Sequence, residues 1–369
     1  LYKMNFLKLC HQNMKNYLLI LAVLVMVGCG NRQTHPQEQC NTVDSTTIKR
    51  IVPHGEYNSI YHWKTTFNPI NSELAFLRKH NVKRLYLRFF DVALDNHWLE
   101  GELYPVPIAT TVFRQVPPAD MEIVPTVYIT LEVLRQTNVK TADLANRIVT
   151  RILAMATRHK IGNINEVQFD YDWTATTQNS YFELCRIAKD SLHGKGIELS
   201  STIRLHQLRG DCPPVDRGVL MLYNTGALRN AETKNSILDY SDVAPYLTNA
   251  NYRLHLDFAY PAFAWGIWFR DNRFKAILRT TDYSDQTYYR RQSDGTYKVL
   301  KNHYLESHEL QKGDIIRLES SRYDEVLKVK RLAEKQLKDD SYSVLLYHLD
   351  STCISNYTTD EIETLYDLL

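Results

Sequence analysis

The chain has 369 residues, with 44 Lys and Arg against 42 Asp and Glu and a formal net charge of +2. That balance, with no block of basic residues, excludes the basic face expected of a nucleic-acid binder. Aromatic content is high, with 24 Tyr and 5 Trp, but tyrosine fills cores as readily as sites and decides nothing alone.

The first feature along the chain is a leader. Met14 and Lys15 precede an apolar run, 17–27, that ends at Gly28 and Cys29. A basic start, a short apolar core and a small residue are the parts of a secretory signal. The run is shorter than the roughly 20 residues that span a bilayer. Met26, Val27, Gly28 and Cys29 resemble the bacterial lipobox, and the resemblance implies cleavage before Cys29 and lipidation of its thiol. The expectation is a signal peptide over 1–28 and a lipidated tether over 29–48, too polar to bury much. The folded domain over 49–369 is then extracytoplasmic and held to a bacterial membrane. An ordinary signal peptide cut elsewhere is the alternative.

Beyond the tether, strand-like and helix-like stretches alternate. Strands are predicted at 59–66, 84–90, 123–130, 166–173, 198–206, 219–224, 253–259 and 343–350. Helices are predicted at 73–80 behind Ser72, at 142–159 behind Thr141, and at 181–192, 237–247 and 323–337. Thr358 and Glu361 form a capping box for a last helix. Such alternation implies a parallel sheet, and eight strands over this length fit a closed (β/α)8 barrel of TIM type better than an open sheet. No GxGxxG follows a strand and no GxxxxGK[ST] occurs, so the nucleotide-binding α/β folds lose support and no cofactor is implied. Two connections are long. One covers 91–120 and holds Pro105, Pro107, Pro117 and Pro118. The other, 270–320, has short β-like pieces around turns and predicts a small β-rich insertion between strands seven and eight. Cys185 falls on an apolar helix face, whereas Cys212 and Cys353 fall in loops where a bridge is conceivable.

Side chains two apart in a strand share a face. This parity sets Gln168, Asp170 and Asp172 against Val167, Phe169 and Tyr171, and Thr202, Arg204 and His206 against Ile203 and Leu205. It sets Tyr86, Arg88 and Phe90 against Leu85, Leu87 and Phe89, and Thr126, Tyr128 and Thr130 against Val127 and Ile129. His255 and Asp257 oppose Leu254, Leu256 and Phe258, while His348 and Asp350 oppose Leu345, Tyr347 and Leu349. In a barrel the apolar faces meet the helices and the polar faces meet the axis, a place usually filled by Val, Ile and Leu. Unpaired buried charges are costly, so this set is either mutually paired or open to solvent as a site at the C-terminal strand ends.

Candidate roles follow from chemistry. Asp170 and Asp172 are same-face carboxylates whose pKa values can be driven apart for acid and base work, with Asp257 or Asp350 as the partner carboxylate. Salt bridges to Arg88 and Arg204 are the structural alternative. Arg88, Tyr128, Arg204, Tyr223, Asn224, His348 and Asp350 would position a substrate. Trp173, Tyr260 and Trp265, near strand ends, would offer ring faces to an oligosaccharide, with loop packing as the alternative. The pairs His255/Asp257 and His348/Asp350 have a spacing that could also hold a metal.

The run Val-Gln-Phe-Asp-Tyr-Asp-Trp-Thr from Val167 to Thr174 resembles the DxxDxDxE motif of chitinase-like glycoside hydrolases. Asp170 and Asp172 match its last two aspartates. Thr174 stands where that family's proton-donating Glu belongs, and Val167 where its first Asp belongs. With Tyr181, Phe182, Glu183 and Leu184 in the next helix and Ser200, Ser201 and Thr202 on strand five, the chain more closely resembles a bacterial barrel family marked by [LV]Q[FIL]D[FY]D, from which no activity carries over. Three readings stay open: a glycoside hydrolase, a non-catalytic carbohydrate-binding lipoprotein, and a metal-dependent hydrolase.

Overall fold

A computed structural model describes residues 56–95, 103–136, 138–337 and 341–367. The leader, Cys29 and the tether lie outside the described residues.

All eight expected strands are present: β1 (Asn58–His62), β2 (Val82–Asp95), β3 (Glu122–Ile129), β4 (Glu166–Asp170), β5 (Glu198–Ile203), β6 (Arg217–Met221), β7 (Leu256–Pro261) and β8 (Val344–Tyr347). Neighbours in the chain pair in parallel, and β1 pairs with both β2 and β8, so the eight close into a barrel. The helices are α1 (Asn71–Lys79), α2 (Thr141–Arg158), α3 (Gln178–His193), α4 (Tyr240–Leu247), α5 (Tyr323–Leu337), α6 (Ser351–Ile354) and α7 (Thr359–Tyr366). Helix α2 buries Leu144, Ile148, Val149, Ile152 and Met155, a single stripe at helical spacing. Among the described residues no helix is long and apolar enough to cross a membrane.

Capping decides where helices start. Thr358 and Glu361 form the expected box before α7, each side chain accepting the other's backbone N–H. Helix α1 starts earlier than Ser72 would place it, because Glu73 reaches back to accept the N–H of Ile70. Helix α4 starts later than 237, where the Asp239 carboxylate accepts the N–H of Ser241.

Three connections depart from plain strand–helix alternation. After β2 the chain turns back as the strand Tyr104–Ile108, antiparallel to the end of β2. Between β5 and β6 lies the short 3-10 turn Leu205–Arg209. After β7 comes a five-stranded antiparallel sheet made of Ala264–Arg270, Arg273–Leu278, Tyr289–Arg291, Tyr297–Val299 and Ile315–Ser320. It begins at Ala264 rather than 270, so Trp265 and Trp268 belong to it. Trp268 helps form its separate small core with Leu278, Tyr283, Val299 and Ile316. Arg317 joins this sheet to the loop after β6, donating to the carbonyls of Leu228 (3.1 Å), Asn230 (2.7 Å) and Ala231 (3.2 Å). Buried Glu319 accepts from Arg317, Ser236 and Trp265.

The barrel axis is polar, as parity predicts. The Tyr61 hydroxyl donates across the lumen to Gln168 at 2.8 Å, and Tyr86 to Glu166 at 3.2 Å. Toward the N-terminal strand ends the lumen is sealed by paired charges. Arg84, fully buried, donates to Glu122 at 3.0 Å, and Arg217 meets Glu198 at 3.5 Å and Asp257 at 3.7 Å. On the outer face of β6, a Cβ at Gly218 would lie 2.7 Å from the Ile203 side chain and 2.8 Å from that of Leu256. Gly218→Ala is therefore expected to destabilise the domain by about 1–3 kcal/mol, read as a lower urea midpoint. An unchanged midpoint would mean that these side chains move aside freely.

Candidate functional site at the barrel mouth

Three cavities adjoin one another at the C-terminal strand ends. The central one, about 230 Å³, is lined by Trp63, Arg88, Asp91, Tyr128, Asp170, Arg204, Met221, Tyr223, Asn224 and Tyr347. On one side it shares Arg204, Met221, Tyr223 and Asn224 with a cavity of about 330 Å³ that adds Asp172, His206 and Tyr246. On the other it shares Trp63, Arg88 and Tyr347 with a cavity of about 680 Å³ that adds Lys64, Trp265, Arg279, His348 and Asp350. A further cavity of about 510 Å³, on the outside of α2, shares no residue with these.

Strand ends set the geometry. Asp170 is the last residue of β4 and accepts from Thr202 at 2.7 Å and from Arg204 at 3.0 Å. Burial opposes the Arg204 charge most strongly, yet Asp170, Tyr223, Asp172 and Tyr61 together outweigh it and raise the guanidinium pKa above its ordinary value. Arg88 forms a two-pronged pair with Asp91, donates to the Trp63 carbonyl at 3.3 Å and lies 5.5 Å from the Trp63 ring. Tyr347 is the hub of an aromatic floor, with ring centroids 5.0 Å from Tyr223, 5.7 Å from Phe263 and 6.1 Å from Trp63. Burial, and then Asp170, raise the Tyr128 and Tyr347 hydroxyl pKa values, so both stay neutral donors. Asp172 stands apart: one of its carboxylate oxygens lies 3.5 Å from the His206 imidazole and is buried without a hydrogen bond. Asn224 adopts φ +56°, a left-handed conformation that asparagine tolerates better than most residues.

The mouth thus gathers Arg88, Tyr128, Asp170, Asp172, Arg204, Tyr223, Asn224, Trp265, His348 and Asp350 of the expected set. Three expected members are elsewhere. Asp257 has the inward face but sits second in β7, at the sealed end, where it accepts the N–H of Ser343 at 2.6 Å. Trp173 is buried beneath the loop, stacked on Tyr181 at 5.2 Å. Tyr260 faces outward against α5, its hydroxyl 3.5 Å from Glu334. Because Asp257 and Asp350 lie at opposite ends of the barrel, the two His-x-Asp pairs cannot share a metal ion. Among the described residues no group of three His, Cys, Asp or Glu is placed to hold one. Cys185, Cys212 and Cys353 are free thiols, so Cys212 and Cys353 form no bridge.

Sequence parity missed Asp91 and Tyr347. The register of β2 against β3 slips between Arg88 and Phe90, so Asp91, not Phe90, stands opposite Tyr128. Tyr347, assigned to the apolar outer face, lines the mouth instead, and His348 and Asp350 reach their cavity from beyond the end of β8. At the donor position, the Thr174 hydroxyl lies 3.0 Å from that of Thr176, and the Thr174 N–H donates to Thr177 at 3.0 Å.

Burial lowers the imidazole pKa of His348 from 6.5 to about 4 and that of His62 from 6.5 to about 3. As pH falls below 6.5 the unfolded chain takes up these protons first, so stability is complete above that pH and is lost on approach to pH 4. The unfolding free energy from urea titrations should fall across this window, by up to about 1.4 kcal/mol per pH unit for each histidine. His348→Gln should flatten the slope. An identical slope in that variant would show that His348 is solvated when folded.

No protein-family model matches the chain, and no curated protein does. Several solved structures are similar. The Bacillus cereus spore cortex-lytic enzyme SleL is 15% identical, covering 83% of this chain and 76% of its own, with a TM-score of 0.46. The Ostrinia furnacalis Group IV chitinase in complex with allosamidin is 8% identical, covering 84% and 98%, with a TM-score of 0.48. A family 18 N-acetylglucosaminidase from Paenibacillus barengoltzii is 12% identical, covering 84% and 100%, with a TM-score of 0.46. All three bear the names of enzymes, yet at such identities and scores the likeness carries no argument about chemistry, and the closed barrel stands on its own strand pairing.

Proposed function

We propose that the barrel mouth binds an oligosaccharide without hydrolysing it, on an extracytoplasmic domain held to a bacterial membrane through a lipid on Cys29. The observation that carries the reading is the run of adjoining cavities in which Trp63, Tyr128, Tyr223, Tyr347 and Trp265 stand beside paired charges. Ring faces suit the apolar faces of sugars, and the Asp170–Arg204 and Arg88–Asp91 pairs offer fixed donors and acceptors to hydroxyls. A threonine hydroxyl at 174 has no proton acidic enough for a glycosidic leaving group. Substrate-assisted cleavage of the chitinase kind therefore lacks its acid.

A second reading is a glycoside hydrolase that uses Asp172 as acid or nucleophile. It is favoured by the buried, unbonded oxygen of that carboxylate. Titration of wild type and Asp172→Asn against a glycan panel, headed by chito-oligosaccharides, separates the two by calorimetry and by release of reducing ends. Binding by both proteins with no release by either is the expected result. Release by wild type that disappears in the variant would establish the second reading, and no binding to any glycan would overturn both.

A further inference from the structure

We infer that the outer face of α2 and the adjacent segment 104–116 form a surface that lies on an anionic phospholipid bilayer. The cavity of about 510 Å³ outside the barrel is lined by Arg147, Arg151, Arg158 and His159, and by no carboxylate. Positions 147, 151 and 158 are four and seven apart, so the guanidinium groups share one side of the helix over roughly 16 Å. Arg151 is held in place, donating to Thr110 at 3.0 Å and lying 5.1 Å from the Phe90 ring. Arg147 meets Asp143 at 3.2 Å, but both side chains are more than half exposed, and such pairs hold weakly.

The second observation is apolar. Tyr104, Ile108, Val112 and Val116 are 37, 43, 48 and 62% exposed, four of the nine large hydrophobic residues so exposed among those described. They lie in one short stretch that reaches the cavity at Thr110 and stacks Phe113 on His159 at 4.4 Å. Cations beside a segment that carries exposed apolar side chains match an interface in which phosphates lie over acyl chains. A soluble anion would leave the apolar rim unused. The inference is independent of glycan binding and draws on the Cys29 anchor only for proximity.

The test uses the full chain, whose apolar leader is common to every variant. Cosedimentation compares vesicles of phosphatidylcholine with vesicles that also contain phosphatidylglycerol. Wild type should bind the mixed vesicles roughly tenfold more than the neutral ones, and the excess should vanish at high salt. Hydrogen exchange on mixed vesicles should slow at 104–116 and in α2. Arg147→Glu with Arg158→Glu should remove the excess while leaving the melting temperature and glycan binding unchanged. Val112→Ser with Val116→Ser should weaken binding to the mixed vesicles through a different chemistry, so a misfolded charge variant does not end the test. Retention of the excess by a folded charge variant would overturn the inference. So would slowed exchange in α2 with inorganic phosphate alone, which would mark a soluble-anion site.

Discussion

Arg84→Leu is expected to destabilise the domain by about 3–5 kcal/mol, the penalty for leaving buried acids without their cation, and to lower the melting temperature by roughly 5–8 °C. The guanidinium is fully buried and donates to Glu122 through two nitrogens, each at 3.0 Å, and to Ser343 at 3.3 Å. Tyr86, Glu166, Glu122 and Asp257 surround it and together outweigh the burial that opposes its charge. Removing the cation takes both of those guanidinium donors from Glu122 where water has little access. Arg84→Leu combined with Glu122→Gln should lose less than the sum of the two single changes, because the pair shares one interaction. Loss of under about 1 kcal/mol in the single variant would mean that water enters this end of the barrel.

At the other end, Arg204→Leu should leave the fold intact and weaken oligosaccharide binding by roughly 30-fold or more, the scale of a lost hydrogen bond to a charged group. Arg204 and Asp170 hold each other at 3.0 Å where two of the cavities meet. Without the guanidinium, Asp170 keeps only the Thr202 hydroxyl among its side-chain donors and turns uncompensated charge toward the sugar. Arg204→Lys should fall between, since an ammonium keeps the charge but not the planar fork. Calorimetry with the tightest glycan of the panel decides the matter. A change below threefold in Arg204→Leu would remove this pair from the recognition surface, whereas Arg84→Leu should bind normally once folded.

The barrel was legible because period-two alternation survives in strands whose outer faces must meet helices. The polar lumen was legible for the same reason, from Gln168, Asp170, Thr126, Tyr128 and Arg88. Height along the axis was not, because parity reports a face and never a level: Asp257 and Asp170 both point inward yet stand at opposite ends of their strands. The slip beside Phe89 inverted the face of Asp91, and one inserted residue leaves no local sign in composition. Trp173 and Tyr260 show the limit of reading aromatic residues near strand ends. One is stacked under a loop and the other packs on a helix, and both sit there because rings are the largest apolar groups available.

The anchorage of the inserted sheet through Arg317 and Glu319 has a consequence for how a ligand is met. A wall fastened at several buried points keeps its spacing from the opposite rim before any ligand arrives. Selection then falls on ligands that already fit, little ordering entropy is lost on association, and rigid docking of candidate glycans is a fair guide to shape.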